Sequence, residues 1–359
     1  MITICGYTYS AGDLALLRQH EERCVREELA DFLEEWYSGL PTVAVQSSGS
    51  TGAPKLIHVE KSRMRASARM TCSFLGLSSG DKALLCMPLK YIGAKMMVVR
   101  ALEFELDLWS VEPSSHPLRD MREPPCFLAM TPAQVFSSLE CNEEAEILRQ
   151  TKHLIIGGSA VDINLGRVLK TFPHGVWSTY GMTETLSHIA LRRLNGSEAS
   201  DWYSPFEGIS LRLTDEGTLA IQAPVLCPTE IITSDLAELD EKGRFRILGR
   251  KDNIINSGGI KLHIEDVESQ LRSVMPCAFQ ISAVPDTHFG EVVSMLVEES
   301  REDWSPYLEH LHPYARPKYV FTVATLPCTG SGKPDRATAR VICAQLQEMN
   351  HVYKSSPSS

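Results

Sequence analysis

The chain has 359 residues, 43% hydrophobic and 22% charged, with a formal net charge of −10. This composition fits a folded protein with room for a large domain plus a smaller one, and excludes a disordered or fibrous chain. The acidic balance argues against a sequence-independent nucleic-acid binder, which needs a concentrated basic face. No apolar run approaches the roughly 20 residues that cross a bilayer.

The opening Met1-Ile2-Thr3-Ile4-Cys5 lacks the basic and apolar regions of a signal peptide, so a cytoplasmic protein without a membrane span is expected. Ten cysteines are scattered with no C-x-x-C pair, which fits reduced thiols better than a zinc ribbon or redox dithiol. Between residues 13 and 37, Leu14, Leu16, Leu17, Val25, Leu29, Phe32 and Leu33 recur at helical spacing and predict one or two surface helices. Short apolar runs at 42–46, 82–87, 126–130 and 153–156 read as buried strands, each followed by turn residues and a helical pattern. After the third, Thr131 can cap a helix and Pro132 suits its first position. Such alternation predicts an α/β sheet with functional loops at strand ends.

From Gly208 the pattern changes to short β pieces at 209–213, 218–223 and 244–248, separated by Asp-Glu-Gly and Glu-Lys-Gly turns. They predict a small sheet or barrel closing the large domain. A compact α+β pattern follows, with a helix at 263–274 and strands at 278–284 and 292–298. The domain boundary is accordingly placed between residues 1–249 and 250–359. No internal repeat is found, and residues 355–359 read as a disordered tail.

The strongest local signal is Ser47, Ser48, Gly49, Ser50, Thr51, Gly52 and Lys55, directly after an apolar strand. Glycines let backbone approach a polyanion, N–H and hydroxyl groups donate to phosphate oxygens, and Lys55 adds a mobile positive charge. Ala53-Pro54 separate Gly52 from Lys55, so the kinase and GTPase pattern Gly-x-x-x-x-Gly-Lys-Ser/Thr is not met, and a P-loop phosphotransferase is excluded. Taken alone, the segment is also readable as a Ser/Gly-rich linker.

Four later segments occur in order with it: Tyr180-Gly181-Met182-Thr183-Glu184, Ser234-Asp235, Gly249-Arg250-Lys251-Asp252 with Ser257-Gly258-Gly259, and Thr329-Gly330-Ser331-Gly332-Lys333. Together the five resemble the motifs of the adenylate-forming superfamily of acyl-CoA synthetases, luciferases and nonribosomal adenylation domains, over residues 43–340. The resemblance implies an α/β fold: a large N-terminal adenylate-forming domain of mixed sheets and helices, and a small mobile α+β C-terminal domain. It implies ATP, Mg2+ and coenzyme A as cofactors or co-substrates and a small-molecule carboxylic acid as the partner.

By the same resemblance the 47–55 loop holds pyrophosphate, Glu184 binds magnesium, Thr183 touches the α-phosphate and Lys333 bridges the attacking carboxylate and the phosphate. Gly157, Gly158 and Ser159 resemble an adenine-binding turn, Tyr180 with Gly181 faces the base, Asp235 accepts the ribose hydroxyls, and Arg250 reaches the nucleotide. Asp252 corresponds to the hinge, and Ser257, Gly258 and Gly259 to the tunnel for the thiol acceptor.

Only 46 residues precede the phosphate loop, where most members of the resembled family carry a much longer region, so a version shortened at its N-terminus is expected. Tyr91 stands where many relatives carry His. The run from Tyr180 to His188 looks most like o-succinylbenzoate:CoA ligases of menaquinone biosynthesis, whose acid has a second carboxylate. Lys90, Tyr91, Lys95, Thr185, Ser187 and His188 are the candidates to line that pocket. Other readings are a ligase for another aryl or fatty acid, an adenylation enzyme loading a carrier protein, or a non-catalytic nucleotide-binding protein.

Overall fold

The computed structural model describes residues 1–18, 27–46, 56–161, 163–301, 303–329 and 334–355. Strands β1 (Ile2–Ile4) and β2 (Tyr7–Tyr9) form an antiparallel hairpin, followed by α1 (Leu14–Leu17) and α2 (Glu27–Tyr37). Helix α2 buries Leu29, Phe32, Leu33 and Trp36, an i, i+3, i+4, i+7 stripe that covers core with one face and meets water with the other. Strand β3 (Thr42–Gln46) pairs antiparallel with β4 (Leu56–Glu60), and among the described residues these two form a ladder apart from the main sheet. Helix α3 (Lys61–Leu75) then runs to Gly76, whose left-handed conformation returns its N–H to the Cys72 and Ser73 carbonyls.

The next elements alternate strand and helix: β5 (Lys82–Leu85), α4 (Ile92–Phe104), β6 (Asp107–Ser110), β7 (Phe127–Met130), α5 (Pro132–Glu140), α6 (Asn142–Gln150), β8 (His153–Ile156), α7 (Ile163–Leu169) and β9 (Gly175–Gly181). Two further strands, β10 (His188–Arg193) and β11 (Ser204–Pro205), run antiparallel at one edge. The sheet order is β11-β10-β9-β8-β7-β5-β6-β1-β2, parallel from β9 to β1.

Burial explains why β5, β7 and β8 are unbroken apolar runs: both faces are covered. Ala83, Leu85, Phe127, Ala129 and Ile155 pack on one face with α3 and α4 residues such as Met64, Ala68 and Met97. Leu84, Leu128, Met130, Leu154 and Ile156 alternate onto the other, against Val135, Leu148, Leu165 and Leu169 of α5, α6 and α7. Thr131 and Pro132 start α5 as the sequence predicts, in a capping box where the Thr131 hydroxyl accepts from the Gln134 N–H and the Thr131 N–H donates to Gln134 Oε1.

A four-stranded antiparallel sheet follows, β12 (Ser210–Leu213), β13 (Thr218–Gln222), β14 (Ile231–Leu239) and β15 (Phe245–Arg250) in sequential order. After a turn at Lys251–Asn253 come β16 (Ile254–Ser257), β17 (Ile260–His263), α8 (Ile264–Leu271), β18 (Phe279–Asp286), β19 (Gly290–Val297), α9 (Ser305–Leu308), β20 (Tyr319–Thr322) and α10 (Arg336–Ser355). Their sheet runs β17-β16-β19-β18, with β20 parallel beside β19. Its two faces carry separate apolar clusters, one with Ile255, Val267, Leu271, Ile281 and Met295, the other with Val284, Leu296, Phe321, Ala339 and Cys343.

The fold is therefore α/β with a large N-terminal part of mixed sheets and helices and a small α+β C-terminal part. Among the described residues no helix is long and apolar enough to cross a membrane. The described cysteines are all free of disulfides. Residues 356–359, most of the expected disordered tail, lie outside the described residues.

Candidate active site

In a parallel sheet the strand ends collect at one rim, which is where open α/β sheets bind ligands. Here β7 and β8 end in register, Met130 beside Ile156, while β9 continues past Ser178, the partner of Ile156, to Gly181. The rim is thus built from Thr131, from Gly157, Gly158 and Ser159, and from 179–184. The Gly157 N–H donates to the Met130 carbonyl, which continues the ladder one step beyond β8. A side chain on Gly157 would put its first carbon 2.4 Å from Thr179 Oγ1, so β9 can approach this turn only because the residue is glycine. The same holds at Gly181, where such a carbon would lie 2.3 Å from the Ser187 carbonyl oxygen and 2.4 Å from His188 Cα.

Tyr180, Asp235 and Arg250 meet at the end of β9. Asp235 and Arg250 are register partners in β14 and β15. The Tyr180 hydroxyl donates to Asp235 Oδ2 at 2.6 Å, while Arg250 Nη1 lies 3.8 Å from Asp235 Oδ1. Burial, followed by the Asp235 charge and its hydrogen bond, raises the Tyr180 phenol far above its ordinary pKa, so it stays a donor. Its ring stands edge-on to Phe245, centroids 4.9 Å apart, and Phe245 stacks on Tyr203 at 5.4 Å. The aromatic wall beside the carboxylate is therefore fixed in place.

Thr183, Glu184 and Thr185 form a single 3-10 turn after β9. The Thr185 hydroxyl accepts from the Met182 N–H at 3.0 Å and lies 3.0 Å from the Met182 carbonyl and 2.8 Å from the Ser187 carbonyl. Those bonds hold Leu186 at φ 67°, a left-handed conformation unfavourable for leucine by about 1–3 kcal/mol. Glu184 is exposed and has no partner among the described residues. A lone oxygen donor of this kind fits a magnesium ion, which keeps most of its shell from water and phosphate oxygens and uses few carboxylates. Among the described residues no cluster of three His, Cys, Asp or Glu forms a protein cage for a metal.

The candidates for the acid pocket separate into engaged and accessible groups. Lys95 donates to the Ala44 carbonyl at 2.7 Å, lies 3.9 Å from Glu35 and covers the Phe32 ring, so it ties α4 to α2 and β3. Tyr91 immediately precedes α4 and pairs with Gln46 in a parallel bridge, with Lys90 exposed over its ring. His188 is buried: its Nε2 lies 3.0 Å from Thr71 Oγ1 and its Nδ1 3.3 Å from Ser187 Oγ. Burial and, next, the Arg100 charge hold its pKa well below 6.5, so the ring is neutral. Arg100 itself is not singled out by the sequence, where it directly follows the apolar run Met96-Met97-Val98-Val99. It is fully buried in α4 and donates to Ser187 Oγ at 2.8 Å and to Thr71 Oγ1 at 3.3 Å.

Asp252 follows Arg250 in the turn before β16, and Arg250 Nη2 donates to its Oδ2 at 3.2 Å. Burial opposes ionisation of Asp252, but hydrogen bonds from Ser234 and Arg250 outweigh it and hold the carboxyl below its ordinary range. Ser257, Gly258 and Gly259 make the β16–β17 turn, both glycines at positive φ, with Phe289 and Tyr314 beside Gly258. The Ser47 to Lys55 loop and the 330–333 segment with Lys333 lie outside the described residues.

Residues 41–225 match the sequence profile of the family described as AMP-binding enzyme. The chain is 27% identical to a 2-succinylbenzoate–CoA ligase of Salmonella typhimurium over 76% of its length and 62% of the relative's. It is 26% identical to a 4-chlorobenzoate–CoA ligase of an Arthrobacter species, over 84% of this chain and 66% of the relative. The chain thus spans less than two thirds of the length of these relatives. A solved structure of an acyl-CoA synthetase (AMP-forming)/AMP-acid ligase II-like protein from Dyadobacter fermentans is similar at 30% identity. The match has a TM-score of 0.62 and covers 90% of this chain and 96% of that one.

Proposed function

Because this chain belongs to the AMP-binding enzyme family, we propose that it uses ATP to activate a carboxylic acid as an acyl-adenylate and passes the acyl group to coenzyme A. The observation that carries the reading is the convergence of Tyr180, Asp235 and Arg250 beside the Gly157 turn, a flat aromatic wall with a carboxylate at its edge. Adenosine requires that pair, since its base needs an apolar face and its ribose hydroxyls need an acceptor.

In the first step a carboxylate oxygen of the acid attacks the α-phosphorus of ATP, and the bond to the bridging oxygen breaks to release pyrophosphate. The thiol sulfur of coenzyme A then attacks the acyl carbon, AMP leaves, and the thiol proton goes to solvent. Charge develops on phosphoryl oxygens in the first step, so this chain's task is to meet it with donors and cations already in place. In this reading the Ser47–Lys55 loop cradles pyrophosphate, Thr183 faces the α-phosphate, and Lys333 lies between the two reacting anions. Glu184 would hold magnesium, which would neutralise part of the phosphate charge. Arg250 and Asp252 lead from the nucleotide to the C-terminal part, which we place at 250–359 and assign the hinge at Asp252. The Ser257, Gly258 and Gly259 turn borders the thiol path.

For the acid we propose 2-succinylbenzoate, supported by the similarity to ligases of that name and by the Tyr180–His188 run. An aryl acid such as 4-chlorobenzoate is the second reading, supported by the Arthrobacter relative. The test is CoA-dependent pyrophosphate release over a panel of 2-succinylbenzoate, benzoates, medium-chain fatty acids and amino acids. Turnover with 2-succinylbenzoate at least about tenfold above the others supports the first reading. Turnover with another acid keeps the chemistry and replaces the substrate, and ADP in place of AMP overturns the mechanism.

A further inference from the structure

Among the described residues β3 pairs along its length with β4 alone, so its second edge has no neighbouring strand. In an antiparallel ladder the backbone groups of alternate residues point to opposite edges. Ala44 and Gln46 face the second edge, where Gln46 meets Tyr91 in a parallel bridge. Both backbone groups of Ala44 are met by charged side chains. Its N–H donates to Glu35 Oε1 at 2.6 Å, and its carbonyl accepts from Lys95 Nζ at 2.7 Å. The two charges lie 3.9 Å apart, and the Lys95 side chain is only 12% exposed. Burial lowers the Lys95 pKa, and the Glu35 charge opposes that shift. Sheet edges need cover, and here one carboxylate and one ammonium reproduce the acceptor and donor that a neighbouring strand would offer.

Helix α2 also grips the hairpin from its other strand. Lys61, the buried residue directly after β4, donates to the Glu35 carbonyl at 2.9 Å and the Ser38 carbonyl at 3.1 Å, at the negative end of α2. About two turns before Glu35, Glu28 Oε2 accepts from the Leu89 N–H at 3.3 Å, in the segment between β5 and α4. One helix thereby sets β3 and β4 against α4 and the main sheet. The Ser47–Lys55 segment leaves β3 at Gln46 and joins β4 at Leu56, so both of its ends are attached to strands that α2 and α4 hold.

We propose that Glu35 and Lys95 are positioning residues for polyphosphate binding: they fix β3, and with it the base from which the Ser47–Lys55 segment meets the phosphates of ATP. The inference rests on the acid-activating reading for the role of that segment and adds two residues that lie outside the resembled motifs. Both act through the Ala44 backbone and neither touches nucleotide. A binding group displaced by about 1 Å from a distance loses much of its effect, which is why an edge this far from the phosphates matters.

The experiment compares Glu35→Ala with Glu35→Gln at a half-buried position, and adds Lys95→Met. Glutamine keeps an oxygen that accepts from the Ala44 N–H, whereas alanine does not. ATP, pyrophosphate and AMP are each titrated into the full chain by calorimetry, and exchange of the Ala44 amide is followed by NMR. Glu35→Ala and Lys95→Met should weaken ATP and pyrophosphate about 10-fold, the scale of one hydrogen bond to a charged group, and leave AMP within about twofold. Glu35→Gln should restore most of the loss. The Ala44 amide should exchange at least about tenfold faster in Glu35→Ala than in the wild type. Unchanged ATP and pyrophosphate affinity in both Glu35→Ala and Lys95→Met would overturn the proposal while leaving acid activation intact. Equal losses for AMP and ATP, the mark of general loosening, would overturn it too, as would an Ala44 amide that exchanges equally fast in both proteins. A wild type that binds ATP and pyrophosphate but activates no acid would remove the acid-activating reading and leave this one standing. Binding of neither ligand would remove both.

Discussion

Tyr180 shows how a single hydroxyl serves the site. It donates to Asp235 at 2.6 Å from a ring held by Phe245, so the carboxylate is already oriented for the ribose that the proposed reading places there. Tyr180→Phe keeps the ring and removes the donor, and a hydrogen bond to a charged group contributes about 1.5–3 kcal/mol. We expect ATP affinity to fall roughly 10-fold or more by equilibrium titration, with the far-UV spectrum unchanged. His188 gives a second test, with Arg100, Thr71, Ser187 and Phe206 around its ring. Its pKa in the fold lies well below the unfolded value of 6.5, so between the two only the unfolded chain takes up a proton. Stability is fully present above 6.5 and declines as pH falls below it. Urea midpoints measured from pH 7.5 to 5.5 should decline less steeply in His188→Gln than in the wild type, and parallel curves would show that another group controls this range. The sequence named Tyr180, Asp235, Arg250 and His188 but gave no sign of Arg100. A charge inside an apolar helical run reads as a surface residue until a second helix, α3, is known to cover it.

Among the elements, those whose pattern follows from burial were legible. The runs at 126–130 and 153–156 correspond to β7 and β8, and Thr131-Pro132 begins α5 where capping chemistry places it. Less legible were the strands with mixed faces. β14, Ile-Ile-Thr-Ser-Asp-Leu-Ala-Glu-Leu, is half-buried and its alternation is broken by a bulge between Leu236 and Ala237, so it carries neither period cleanly. The sequence places the run at 42–46 among the strands of the α/β sheet, yet β3 pairs with β4, because alternating Val43 and Val45 need only one covered face. The α5 cap also has a role beyond its helix: Gln134 Nε2 donates to the Cys86 carbonyl at 3.1 Å and the Ser114 carbonyl at 3.0 Å, tying α5 to the chain after β5 and β6. Gln134→Ala leaves both carbonyls without that donor, whereas Thr131→Ala loses only the cap. We expect the former to be the more destabilising by about 1 kcal/mol or more in chemical denaturation, since buried unsatisfied groups cost about 1–3 kcal/mol each.

At the scale of the whole molecule, among the described residues none of the apolar clusters contains buried residues from both sides of Arg250. Separate cores predict separate cooperative units. Scanning calorimetry should resolve two transitions, and saturating ATP should shift the larger one in proportion to the logarithm of its concentration. A single transition would show that the polar contacts across 250–265 couple the parts fully. The sequence places a boundary at 249/250, where a compact α+β pattern begins, and offers no signal for the packing of the side chains on either side.

Arg250 divides one guanidinium between two carboxylates, Asp235 on β14 and Asp252 in the turn that follows. Any hydroxyl pair that occupies the Asp235 oxygens competes with Arg250 for them, and the displaced guanidinium has Asp252 within reach. In the proposed reading, occupancy at the sheet rim would therefore be felt in the connecting turn through the repartition of a single positive charge.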